Sequence, residues 1–372
     1  MPRPKLYVDS KCEIAELLRP YADHVFRGFD TIAHNENDIY VLSRLEFKNN
    51  ATLIRPLIDR GVKLVYSNPF EGSETLAGQL TRFGLSDLFL ERRILVIGGG
   101  DMRLEWPNLR YDLFVSKPHN FAENLAAIKR SDEIFSQVNK PFNFLFLNGR
   151  ARDHRKYLVE RLSDLGLLDQ SLYTWLDTSS IRSRAFDSAL TNRPRAHRFL
   201  PEQYEHATYQ ANVNHVHGTD YVKLDLFNNE WGEIYLNADA YVDTYFSLVT
   251  ETVYNYPHSF RTEKIWKPIA MGHPWICVAN MGYYRDLRAL GFQTFNTIID
   301  EGFDAIEGSV ARMERCIRVI EDIHRNGLKD FLAQCQNICK YNQQHMIDLR
   351  DQVNKDFPDQ FFKFLRDYGW TT

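Results

Sequence analysis

Short apolar runs alternate along the first third of the chain with segments whose apolar residues recur at helical spacing. Asp38 to Leu42 reads as a buried strand, and Ala51 to Asp59 is periodic like a helix and closed by Gly61. Val62 to Tyr66 is the next strand, broken by Ser67-Asn68-Pro69. Glu74 to Phe83 returns to a helical pattern ended by Gly84, and Arg93 to Ile97 is a strand running into Gly98-Gly99-Gly100-Asp101. Strands alternating with helices predict βαβ units around a parallel sheet. The pattern then restarts with a strand at Phe142 to Leu147, a helix at Lys156 to Leu165 and strand-like pieces from Glu233 to Val249. An apolar run ends at Thr250-Glu251-Thr252, and after a loop Arg261-Thr262-Glu263-Lys264-Ile265 opens a helix. That helix stops at Met271-Gly272-His273-Pro274, and Trp275 to Val278 is a strand. Val310 to His324 and Leu328 to Phe364 are helical. Residues 174–221 are polar and rich in Arg, His and Asn, and read as an insertion or long loop with no assigned elements.

A chain of 372 residues exceeds one ordinary domain. The expected fold class is α/β, with two Rossmann-like domains and a cleft between them. Residues 1–138 form the first domain, 139–345 the second, and 346–372 a C-terminal helix expected to pack back on the first. No run of about 18 apolar residues exists, so no membrane span is expected. Asp9, Lys11 and Glu13 interrupt any signal-peptide core at the N-terminus. Five cysteines, odd in number and unpatterned, fit a reduced, cytoplasmic protein. Cys335 and Cys339, four apart in a helix, suit a packed face better than a metal pair. The net charge of −4 tells against generic electrostatic binding of nucleic acid, while a local basic groove stays open.

Candidate chemistry gathers where strands run into helices. Asn148 to Arg155 carries three arginines and a histidine between a strand and a helix start. Guanidinium groups grip phosphate oxygens in pairs, and a helix N-terminus adds N–H groups and a favourable dipole. Arg150 and Arg155 are the preferred phosphate pair; Arg152 is equally suited to face water. A solvated helix start with local ion pairs is the competing account. Glu263 in a first helical turn is ordinary capping chemistry, with Thr262 a candidate N-cap. Arg261, Lys264 and Lys267 are less ordinary there, because cations at a helix N-terminus are unfavourable without an anion. A ribose on Glu263 and phosphates on Lys264 explain the combination, and Glu251 either faces the same cleft or is an exposed strand end. Asp-x-Asp, G-x-S-x-G and Walker patterns are absent, and no metal site is expected. His215 and His217 share a strand face without an evident third ligand.

Phe246 to Glu251, then Arg261-Thr262-Glu263-Lys264-Ile265, then Gly272-His273-Pro274-Trp275-Ile276, resembles the donor-binding core of the α1,3-fucosyltransferase family. That family typically shows an E-N-S…Y-x-T-E-K run and a later G-x-V-P-I segment. The same stretch, with Leu290 to Phe295 and Asp300 to Asp304, is also similar to phage- and virus-type proteins presumed to be glycosyltransferases. The likeness covers roughly residues 142–308 and is specific only around 246–304. It implies a GT-B fold, an acceptor domain followed by a nucleotide-sugar domain, and transfer without a metal or cofactor. Carried over by position, Glu263 would hold ribose, Lys264 the diphosphate, and Arg150 or Arg155 would neutralise the same phosphates. Thr250-Glu251-Thr252 replaces E-N-S and Phe260 stands where tyrosine is usual, so neither the sugar nor the nucleotide base follows.

The expected activity is sugar transfer from a nucleoside-diphosphate sugar, the co-substrate, to a hydroxyl of a glycan or small molecule. A base deprotonates the acceptor, and Glu71, Glu74 and Asp101, each just after a predicted strand of the first domain, are the candidates. A surface or capping role is the alternative for each. Two other readings keep the donor site. One is a phage-type enzyme glycosylating a hydroxymethylated base in DNA, which the arginine- and histidine-rich 181–198 stretch leaves open. The other is a nucleotide-sugar-binding module without catalysis.

Overall fold

A computed structural model describes residues 4–101, 103, 105–120, 122–150, 152–176 and 236–370. His215, His217, the 181–198 stretch and nearly all of 174–221 lie outside the described residues. The chain is α/β and divides into two compact units, Met1–Leu113 with Asp348–Thr372, and Phe114–Ile347. Residues 114–138 therefore group with the second unit, not with the first as the sequence pattern suggests. Their side chains explain it. Asn124 accepts the Leu236 N–H at 2.9 Å, Arg130 pairs with Asp239 at 2.8 Å, and Gln137 donates to Asp243 at 2.8 Å.

The first unit holds a six-stranded parallel sheet in the order β2-β1-β3-β4-β5-β6. Its strands are β1 (Leu6–Asp9), β2 (His24–Phe26), β3 (Ile39–Ser43), β4 (Lys63–Gly72), β5 (Ile94–Gly99) and β6 (Asn108–Arg110). Helices α1 (Ala51–Asp59) and α2 (Ser73–Arg82) follow β3 and β4. Period-two side-chain alternation sends Val41, Val65, Leu95 and Ile97 to one face, and Tyr40, Leu42, Leu64, Tyr66, Ile94 and Val96 to the other. Both faces are buried, which is why the strands read as continuous apolar runs. Pro69 does not end β4, contrary to the sequence expectation. The pairing with β5 shifts register between Asn68 and Gly72, and an irregularity of that kind tolerates a residue without an N–H.

In the second unit the parallel order is β10-β9-β7-β8, built from β7 (Phe142–Arg150), β8 (Leu172–Leu176), β9 (Thr244–Thr250) and β10 (Trp275–Val278). The helices are α3 (Asp153–Asp164) after β7, α4 (Glu263–Ala270) after β9, α5 (Tyr283–Ala289) after β10, then α6 (Ser309–Asn326). Gly272, at φ +62°, lets α4 end with the His273 N–H on the Pro268 carbonyl at 2.9 Å, so β10 begins within three residues. The interior is aromatic: Phe246 packs on Phe144 at 5.3 Å between ring centres and on Phe331 at 5.8 Å.

The last helix, α7 (Leu328–Asp367), is continuous through Pro358. Phe357, Phe361, Phe364, Leu365 and the following Trp370 enter the same apolar cluster as Val8, Val41, Val65 and Ile97. All five cysteines are buried free thiols, with Cys335 and Cys339 on α7. Among the described residues no helix is long and apolar enough to cross a membrane.

Removing a fully buried ring from that cluster leaves a cavity beneath the first sheet. Phe361→Ala should destabilise the first unit by about 3–5 kcal/mol, and Phe361→Leu by clearly less. Denaturant unfolding of the full chain measures both.

Candidate functional site

The second sheet reverses its winding between β7 and β9, because β7 leads through α3 to β8 while β9 leads through α4 to β10 on the opposite side. Doubly wound sheets bind ligands outside the carboxyl ends of the strands at such a point. Two helices start there, and each turns the positive end of its dipole toward that end of the sheet.

Local hydrogen bonds fix this edge. Thr250, the last residue of β9, donates its hydroxyl to Asn148 Oδ1 of β7 at 2.9 Å. The Thr250 carbonyl accepts from the Arg155 guanidinium at 3.0 Å, and the Glu251 carbonyl accepts from His154 Nε2 at 3.0 Å. The first turn of α3 is thereby stitched to the end of β9. A carbonyl only accepts, so the His154 proton sits on Nε2. Burial, then the charges of Arg155, Arg152 and Lys264, push the His154 imidazole well below its ordinary range, leaving it neutral. Its ring lies parallel to Tyr254, with centres 5.4 Å apart.

Glu251 is fully buried, which corrects both sequence readings of it as cleft-facing or as an exposed strand end. Oε1 accepts the Thr262 N–H at 3.0 Å and the Tyr283 hydroxyl at 2.9 Å. Oε2 accepts the Thr262 hydroxyl at 2.6 Å and the Thr252 N–H at 3.2 Å. Four donors from the strand end, the α4 cap and α5 thus fill the carboxylate. Thr262 is the N-cap of α4, its Oγ1 3.4 Å from the Lys264 N–H.

Glu263 and Lys264 open α4 and form an ion pair at 2.5 Å. Burial alone would raise the Glu263 carboxyl; Lys264, by charge and hydrogen bond, and then Lys267 hold it below the usual glutamate range. Lys264 keeps 22% of its side-chain surface open, whereas Arg261 and Lys267 are buried. Arg155 is also buried and holds backbone carbonyls. Arg152, which the sequence allows either to join the phosphate pair or to face water, is half-buried at the N-cap of α3 and acts by its charge on His154. Arg150 ends β7, and its side chain lies outside the described part of the structure. Segments 152–156 and 251–267 together carry six cationic residues (Arg152, Arg155, Lys156, Arg261, Lys264, Lys267) against three acids (Asp153, Glu251, Glu263).

Sequence reasoning missed the residues that hold this edge in shape. Tyr254 lies against His154 on one side and under the Arg312 guanidinium, 4.4 Å from its ring centre, on the other. Arg312 donates to the carbonyls of Tyr254 at 3.0 Å, Ala279 at 3.2 Å and Ile306 at 2.8 Å. The one available signal was an arginine on the apolar stripe of α6, in register with Cys316 and Val319.

Within the first unit, Glu71, Glu74 and Asp101 come to the carboxyl ends of β4 and β5. Glu71 lies inside β4 and is half-buried. Glu74 pairs with Arg103 at 3.1 Å and Asp101 with Arg110 at 2.7 Å.

Two consequences can be measured. Glu251→Gln puts an amide NH2 against groups that themselves donate, and should cost about 2–4 kcal/mol in denaturant unfolding. His273, buried between β9 and the turn before β10, accepts from Ser247 on Nδ1 at 2.9 Å and donates to the Thr244 carbonyl from Nε2 at 2.9 Å. Burial pushes its pKa down to about 3. Between an unfolded value near 6.5 and that folded value the unfolded chain binds the extra proton, so stability falls as pH falls. From pH 6.5 to 5 the loss should be about 2 kcal/mol for this imidazole, with His154 acting in the same direction. Urea unfolding of wild type should show that slope, and His273→Gln should flatten it.

No family model, no curated protein and no solved structure matches this chain.

Proposed function

We propose that the second unit binds a nucleoside diphosphate at the β7–β9 edge, and that the chain is a glycosyltransferase using a nucleoside-diphosphate sugar as donor. The observation that carries the reading is the excess of cations where two helices start, six cationic residues against three acids in segments 152–156 and 251–267, with Lys264 still partly open to solvent. A fixed excess of cation in partly desolvated surroundings favours an anionic ligand, and a diphosphate spans two such helix starts.

In this reading Lys264 and Arg152 bind the diphosphate and Glu263 accepts from ribose hydroxyls. Arg155, Arg261 and Lys267 act from within the unit by their charge. When the sugar–phosphate bond breaks, negative charge grows on the departing diphosphate. Cations already in place stabilise that charge without reorganising, which is the main source of rate enhancement at such centres. The sugar-transfer part rests on the fucosyltransferase-like run Arg261 to Ile265, a GT-B arrangement being its structural corollary. Glu71, Glu74 and Asp101 remain the candidates for the base that deprotonates the acceptor.

A thermal-shift panel of UDP-, GDP-, ADP- and CMP-linked sugars tests binding, since a ligand of the native state raises the apparent melting temperature. One class should stabilise the protein. Lys264→Ala and Arg152→Ala should each weaken that ligand by about tenfold or more by calorimetry. A panel in which nothing binds overturns the reading, and binding without sugar hydrolysis or transfer removes its enzymatic half.

A further inference from the structure

The Lys264 ammonium is already saturated. It has three N–H donors, and three acceptors meet them: Thr252 Oγ1 at 3.1 Å, Thr262 Oγ1 at 3.2 Å and Glu263 Oε1 at 2.5 Å. The Thr262 hydroxyl spends its own proton on Glu251, so it turns a lone pair toward Lys264. That contact belongs to the cap of α4 and is fixed with it. Of the three acceptors, only the Glu263 carboxylate is an anion that another anion can replace.

From these contacts we infer that Glu263 and Lys264 form an exchangeable ion pair that selects ligands carrying an anion and a vicinal diol together. The inference rests on the nucleotide reading of the site. A phosphate oxygen takes the place of Glu263 on Lys264. The released carboxylate, with only 9% of its side-chain surface open, then needs new donors. The two hydroxyls of a ribose supply them, one to each carboxylate oxygen. A ligand with only the phosphate strands Glu263 as a buried charge with a lost partner. A ligand with only the diol meets a carboxylate still held by Lys264. Breaking one member out of a buried ion pair costs far more than exchanging both partners at once. Phosphate and ribose recognition are therefore coupled, and each strengthens the other by the same factor.

The test uses the full chain and two probes, inorganic pyrophosphate and the nucleoside diphosphate of the donor class that binds best. Wild type should bind the nucleoside diphosphate at least 100-fold more tightly than pyrophosphate. E263Q removes the competing anion and weakens the diol acceptor. Pyrophosphate should then bind about tenfold more tightly, and the nucleoside diphosphate about tenfold more weakly. Changes of opposite sign are the signature. An unchanged or weakened pyrophosphate affinity in folded E263Q overturns the exchange. If E263Q does not fold, wild type alone decides: saturating uridine, guanosine, adenosine or cytidine should raise pyrophosphate affinity about tenfold, and independence for all four overturns the inference. Failure of every nucleotide to bind wild type is a different result. It refutes the nucleotide reading, while the effect of E263Q on pyrophosphate still reports whether Glu263 competes for Lys264.

Discussion

A carboxylate shut away from water must fill its lone pairs from the protein, because an uncompensated buried charge costs several kcal/mol. Glu251 meets that demand with the N–H groups of Thr252 and Thr262 and the hydroxyls of Thr262 and Tyr283. Its own carbonyl receives His154. One residue thus sets the end of β9, the cap of α4, the start of α5 and the first turn of α3. The position of Lys264 follows from this, since Thr262 is both the cap tied to Glu251 and one of the acceptors of the ammonium. Partly open side chains hold their geometry only as well as the groups behind them do, and here those groups meet on Glu251.

The site also shows how charge of one sign can be kept near the interior. Arg155 and Arg312 are both almost fully buried, and both spend donors on backbone carbonyls at loop ends. A guanidinium suits this work, with five donors in a rigid fork and weaker hydration than an ammonium. Carbonyl dipoles lower the cost of burying the charge but leave its sign in place. Lys264 is different: it is paired with a true anion and part of it still reaches solvent. The cations held by carbonyls and the one held by a carboxylate are therefore distinguished by what they are bonded to.

Much of the fold was legible because buried parallel strands and amphipathic helices have different periods. β3, β5, β7 and β10 stand close to their apolar runs, and α1, α2 and α6 close to theirs. β2 and β6 were not legible. Each has three residues, too few to show alternation. The grouping of residues 114–138 depended on hydrogen bonds to Leu236, Asp239 and Asp243, about a hundred positions away, which no local pattern carries. At the site, sequence located the helix start with its mixed charges and Thr262 as a cap. It could not divide the charged residues into those buried within the frame and those left partly open. Glu251 and Glu263 look alike in one dimension. They differ only because Glu251 is enclosed by four donors and Glu263 has a lysine beside it.

The two sheets supply an internal comparison. The first also reverses its winding, between β1 and β3, so it has a switch point of its own. There the buried acid is Asp9, filled by the N–H groups of Ser43 at 3.1 Å and Lys11 at 2.9 Å. A second acid, Glu46, takes the Phe29 N–H at 3.0 Å and pairs with the Lys11 ammonium at 2.8 Å. Glu46 is thus tied to a lysine on which Arg27 also acts by its charge, and Arg44 directly follows β3. At both switch points the deeply buried acid is filled by uncharged donors, backbone N–H groups around Asp9 and N–H and hydroxyl groups around Glu251. The ion pairs differ: Glu46 and Lys11 come from separate segments, whereas Glu263 and Lys264 are adjacent on one helix start. The topology is common to both edges, so only their side chains can distinguish what either edge would bind.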